Sequence, residues 1–311
     1  MTMTQTLEAY DLLDSAQVSG HTVANLLGER GLQVEVLTVE GLEGSTDFVQ
    51  AFVPGATGKR AGGQAPTLGI IGRLGGIGAR PAAIGLVSDA DGAITALACV
   101  LKLADLAAAG DRLPGDVLVT THICPTAPVI PHDPVPFMGS PVDMATMNRH
   151  EVVPEMDAIL SVDTTRGNTI VNQRGFAITP TVKQGYILKI SPDLLRLMSY
   201  VTGRLPVVLP ITTQDITPYG NGLDHINSIM QPATATSAPV VGVALTAETA
   251  VPGCASGASQ PADIEAAARF CLEVAKAFGQ GTCSFFDPGE FQRLADLYGS
   301  MEHLQTPGGK P

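Results

Sequence analysis

The chain has 311 residues, enough to bury a full core as one large α/β domain or two smaller ones. Eighteen basic against thirty acidic residues leave a net charge of −12, which argues against nucleic acid and anionic membranes as partners. Its composition is 45% hydrophobic, but residues such as Lys102 and Asp105 interrupt the apolar runs well before the roughly 18 residues a membrane span needs.

Residues 1–5 show no basic stretch leading into an apolar core, so no secretion signal is expected. Five cysteines, an odd number, argue for reduced thiols in a cytoplasm rather than for a disulfide framework. Two short helices are expected over residues 7–13 and 22–30, with Gly31 as a stop, then strands over 32–39 and 46–53. Residues 54–66, rich in Gly, Ala and basic side chains, read as an exposed loop. The run from Leu68 to Gly78 is a strand entering glycines, without the Gly-x-Gly-x-x-Gly order or the Lys-Ser/Thr pair of the phosphate-binding loops.

Asp89 and Asp91 stand at the mouth of a long helix that begins after Gly92, where Ala93, Leu97, Val100, Leu101 and Ala104 recur at helical spacing. An acid in that place either caps the helix or belongs to a site. Residues 116–121 form a buried strand that ends in His122-Ile-Cys124-Pro125, and a proline-rich loop follows to Pro141. A strand over 158–162 stops at Asp163. Further strands are expected over 176–182, 186–190, 207–211 and 240–245, with helices over 192–202 and 261–278 and a short one after Asp224 and His225. The loop over 246–259 carries Glu248 and Cys254. Alternating strands and helices predict a single α/β domain over residues 1–300, with a mixed, mostly parallel sheet, helices on both faces and a flexible tail over 301–311. Open sheets of this class place their sites beyond the carboxyl ends of the strands, which draws attention to Asp89, His122, Cys124, Asp163 and Cys254.

The order Ser19-Gly20-His21, Gly72-Arg73, Ser88-Asp89-Ala-Asp-Gly92 plus helix, Val117-Leu-Val-Thr120, Ile159-Leu-Ser-Val-Asp163, Gly222-Leu-Asp224 and Pro261-Ala-Asp-Ile resembles the co-catalytic zinc aminopeptidases and their aminoacylase relatives. The chain as a whole also resembles an uncharacterised bacterial and archaeal family of similar length. The peptidase resemblance implies a zinc-exopeptidase-like, phosphorylase/hydrolase-like fold and a homo-oligomer, here without the lid domain that some of these enzymes insert. It places the bridging aspartate on Asp89 and the later aspartate ligand on Asp163. The first histidine falls on Arg73, the Glu-Glu pair on Ile123 and Cys124, and the final histidine near Cys254, so the standard two-zinc set is not retained.

Three readings of the remaining residues follow. One is a hydrolase of a small amide, lactam or dipeptide, with a single Zn²⁺ held by Asp89, Cys124 and Cys254, Asp163 also in the ligand set, and His122 or Asp163 as base. Another is a cofactor-independent amino-acid racemase, in which Cys124 and Cys254 face each other across the substrate carbon. The third is a small-molecule binder in which both cysteines are buried hydrophobes. Arg73 is a candidate for a substrate carboxylate or for neutralising Asp163, and Asp224 and His225 are candidates for substrate contact.

Overall fold

The computed structural model describes residues 2–73 and 76–308. Its strands are β1 (Gln33–Gly41), β2 (Gly44–Val53), β3 (Leu68–Gly72), β4 (Val117–Ile123), β5 (Val129–Ile130), β6 (Phe137–Met138), β7 (Ala158–Thr164), β8 (Gly175–Ile178), β9 (Val182–Lys183), β10 (Tyr186–Ile187) and β11 (Val240–Thr246). Its helices are α1 (Met3–Asp14), α2 (Gly20–Gly28), α3 (Asp91–Ala108), α4 (Met144–Glu151), α5 (Pro192–Thr202), α6 (Pro261–Gly279) and α7 (Pro288–Tyr298).

One mixed sheet runs in the order β1-β2-β4-β3-β7-β11-β9-β10, with β8 also paired to β11. The four central strands, β4, β3, β7 and β11, are parallel, and both flanks are antiparallel. Those four are buried along almost their whole length, as expected where helices cover both faces of parallel strands. On one face α3 and α6 lie over Ile70, Val119, Leu160 and Val243, with α1 and α5 behind them. On the other, Ile71, Leu118, Ile159 and Ala244 pack under the 3₁₀ stretch Ser228–Thr234, and α4 lies beside them over β2. Among the described residues no helix is long and apolar enough to cross a membrane.

Gly92 sets how closely α3 approaches the sheet. A Cβ there would stand 1.7 Å from the Arg73 carbonyl oxygen and 2.6 Å from that of Val162, so the first turn of the helix touches the ends of β3 and β7 only because this residue has no side chain.

Several expectations change. Neither Asp89 nor Asp91 caps α3: the N-cap is Ala90, and no side chain accepts there. Residues 207–211 form no strand, only a bridge from Val208 to Ile178, because Pro206 and Pro210 withhold ladder donors. Helices α4 and α7 were not expected. The first is too polar for an apolar stripe and starts from Asp143, which accepts from Thr146 N at 2.7 Å, and the second starts at the Asp287-Pro288 pair. Strands β4 and β7 run two residues further than expected, so His122 and Asp163 lie within them. In the segment expected as a tail, Glu302–Gln305 makes a helical turn and Leu304 packs against the second face, while residues 309–311 lie outside the described residues.

Candidate functional site

Strand register builds the site. Gly72 pairs with Thr121 on one side and Val162 on the other, so the next residues, His122, Arg73 and Asp163, stand abreast at the carboxyl ends of β4, β3 and β7. All three share the parity of Leu118, Ile71 and Ile159 and so face the second layer. Phe48 flanks the row on β2 and Ala244 on β11.

A buried Arg in a sheet needs a counter-charge, and α4 supplies it. Glu151 Oε2 lies 2.8 Å from Arg73 Nε, and its Oε1 lies 2.5 Å from His122 Nδ1; all three side chains are almost wholly buried. Arg73 also donates to Asn148 Oδ1 and to Met144 Sδ, so one helical face at i, i+4 and i+7 holds the guanidinium. Burial would raise the Glu151 carboxyl, but Arg73 and His122 together hold it below the usual range. Helix α4 is pinned in turn by Thr120 Oγ1 donating to Glu151 O at 2.9 Å and Gln50 Nε2 donating to His150 O at 2.7 Å. Its Asn148 donates to Gln231 O and Thr234 Oγ1 in the 3₁₀ stretch.

Asp163, beside Arg73, is 2% exposed. Its Oδ2 accepts from Ser228 Oγ at 3.4 Å, and Oδ1 is buried without a hydrogen-bond partner among the described residues. Burial pushes its carboxyl up to about 7, against the pull of Arg73. Asp89 comes to it from the turn before α3, where Thr164 Oγ1 donates to Ser88 O at 2.7 Å and ties that turn to the end of β7. Burial first, then the charges of Asp163 and Asp91, hold Asp89 well above the usual carboxylate range. Asp91 points the other way and pairs with buried Arg166 at 2.7 Å; burial nonetheless raises it to about 7. The Tyr219 phenol lies beside Ser228 and is pushed up to about 12 by burial. Asp215 anchors the loop that carries it, accepting from Thr212 N, Ile226 N and Asn227 N.

Thus the turn bearing Asp89 is tied to the end of β7 that carries Asp163, and His122 stands in the same row, held by Glu151. Arg73 is taken up by protein groups and serves as the buried counter-charge rather than as a free anchor for a substrate carboxylate. His225 lies against Tyr219, with ring centroids 4.3 Å apart and planes tilted by 45°, and bonds Thr217 O, while Asp224 is exposed. Cys254 belongs to the loop laced to Ser88 and Asp89 by Asp89 N donating to Gly253 O at 3.0 Å. Cys124 is wholly buried among Ala79, Val87, Ala127 and Met138, a cluster against which Cys254 also packs, and burial raises its thiol. The single-zinc set of Asp89, Cys124, Cys254 and Asp163 does not assemble: among the described residues no three His, Cys, Asp or Glu side chains converge as metal ligands. The physical reason is that Cys124 is committed to apolar packing, while Ser228 and Arg73 surround Asp163. Leu74 and Gly75, in the glycine-rich run, lie outside the described residues.

Sequence reasoning missed Glu151, Asn148, Tyr219 and Ser228. For the first two a signal existed, since Asp143 followed by Met144, Met147, Asn148 and Glu151 is a capped helix with one mixed face. A family model described as a protein of unknown function (DUF1177) matches residues 37–308, and the chain belongs to that family. No curated protein matches it.

Proposed function

We propose that this member of the DUF1177 family is a hydrolase of a small amide, lactam or dipeptide, with Asp89 and Asp163 as its acid and base. The observation that carries the reading is that Asp163, buried with one oxygen unpartnered among the described residues, stands at the carboxyl end of β7, to which the Thr164–Ser88 hydrogen bond ties the turn bearing the buried Asp89. The charge of Asp163 raises Asp89 further, which divides the roles, because one carboxyl keeps its proton while the other ionises. Asp163, whose Oδ1 is left without a hydrogen-bond partner among the described residues, takes a proton from water as the water oxygen bonds to the amide carbon. Asp89 gives its proton to the departing nitrogen as the C–N bond breaks. The Tyr219 phenol, beside Ser228 and protonated, is the donor assigned to the carbonyl oxygen as charge develops on it. No step is routed through zinc, since the donors named for it do not converge.

The racemase reading has one supporting observation, the packing of Cys254 against the cluster that holds Cys124. A single experiment separates the readings. Dipeptides, N-acyl amino acids and small lactams are incubated with the protein in deuterated water, with and without chelator. Cleavage without α-deuterium, lost in Asp163→Asn, is the expected result. Exchange without cleavage, abolished by Cys254→Ser, assigns the racemase, and silence across the panel leaves the binder. Cleavage that chelator stops restores the metal-dependent form.

A further inference from the structure

Away from the acidic site, a cavity of about 300 Å³ opens between the segment leading into β8, the end of α5 and the first two turns of α6. That volume is at the lower bound for small-molecule pockets. Its floor is apolar: Phe176, Met198 and Val201 are buried there, and Val207 and the largely exposed Leu205 continue the wall. Its rim is basic. Arg174, Arg204 and Arg269 all line it, three of the twelve arginines of a chain whose net charge is −12.

The three guanidiniums differ in how far they are committed. Arg269 is structural, donating to Val201 O at 2.9 Å and Glu265 Oε2 at 3.1 Å, but its Nε is buried with no partner among the described residues. Arg174 reaches Asp263 at 3.5 Å from an exposed position, a pairing worth little in water. Arg204 is exposed and its guanidinium has no ion pair or hydrogen bond among the described residues. In a strongly acidic protein, spare guanidiniums above an apolar floor match a ligand with one anionic head and a short apolar body.

We infer that this cleft binds a small amphipathic monoanion, a carboxylate on an apolar chain, with Arg204 and Arg174 holding the head and Phe176, Met198, Val201 and Leu205 covering the chain. The inference does not depend on the hydrolase reading, because the two sites share no residue.

Isothermal titration of the full chain with octanoate, octan-1-ol and octylamine, each below its aggregation concentration, tests it. Octanoate should saturate at one per chain, octan-1-ol should bind at least about tenfold more weakly, and octylamine should give no saturable heat. Arg204→Glu combined with Arg174→Glu should weaken octanoate by about tenfold or more, with the urea midpoint serving as the folding control. Leu205→Asp should weaken octanoate too. Equal binding of octanoate and octan-1-ol, undiminished binding in the double variant, or no saturable heat at all overturns the inference. A wild-type dimer that Arg204→Glu splits, with octanoate silent, assigns the cleft to a second copy and overturns it as well.

Discussion

Glu151 holds two buried groups at once, so removing its charge strands both. Glu151→Gln should cost about 3–5 kcal/mol in urea unfolding, the usual penalty for leaving a buried ion without its partner. Arg73→Met together with Glu151→Leu should lose less than either single change, because the charge and its counter-charge leave together. The aspartates act in the opposite direction. Burial puts the folded value of Asp163 at about 7, above the unfolded value near 3.8, so the native state holds its proton more tightly. The group costs nothing below the unfolded value, and its penalty grows as pH rises from about 4 to about 7. Asp163→Asn should therefore raise the urea midpoint at pH 8 and leave it nearly unchanged at pH 4, while cleavage is lost. A midpoint that falls equally at both pH values would show that Asp163 is held only by packing. Of these residues, Asp163 was legible from sequence because it follows an apolar run at a strand end, and Asp89 because it stands at the mouth of a long periodic helix. The capped helix of Glu151 could be placed from Asp143, but its role could not, since that depends on a guanidinium 78 positions earlier in the chain, as the numbering of Arg73 shows.

Between the elements the tightest constraint is where α3 meets β3 and β7. Gly92→Ala should destabilise by roughly 1–3 kcal/mol, as overpacking does, and should disturb Asp89 and Asp163 together, because the helix must draw back from the Arg73 and Val162 carbonyls. Ala93→Gly, on the same turn, removes a methyl without moving the helix and should leave the chemistry intact; urea titration and cleavage rates measured side by side check the pair. The parallel strands and the long helices were readable in the sequence because full burial writes continuous apolar runs and 3.6-residue periodicity. Helix α4 left no such trace. It lies over the flank with a face of Met, Asn and Glu, chosen to hold Arg73 rather than to enter an oily layer. The parity that turns His122, Arg73 and Asp163 to one face emerges only once three strands are in register.

At the scale of the molecule, the sequence carried the class of fold and the edge of the sheet where acids gather, while the pairing of Arg73 and His122 with α4 and of Asp163 with Ser228 came from tertiary contacts. Exposed apolar side chains on the loops at that edge, Ile84, Ile170 and Ile226 among them, support the expected homo-oligomer; light scattering should give a particle larger than one chain, and a monomer at working concentration would reject it. The far C-terminal turn has its own bearing on the site. Gln305 Nε2 donates to Ala233 O at 2.7 Å and to Thr236 O at 2.8 Å, clasping the stretch that begins with Ser228, the hydroxyl next to Asp163. Shortening the chain to residue 300 would undo that clasp, and deuterium uptake should quicken over 228–236 while the central strands stay protected. The 302–305 turn is thus a latch, so on the hydrolase reading a proteolytic nick or a fused tag near residue 300 should be felt as lost turnover rather than lost solubility.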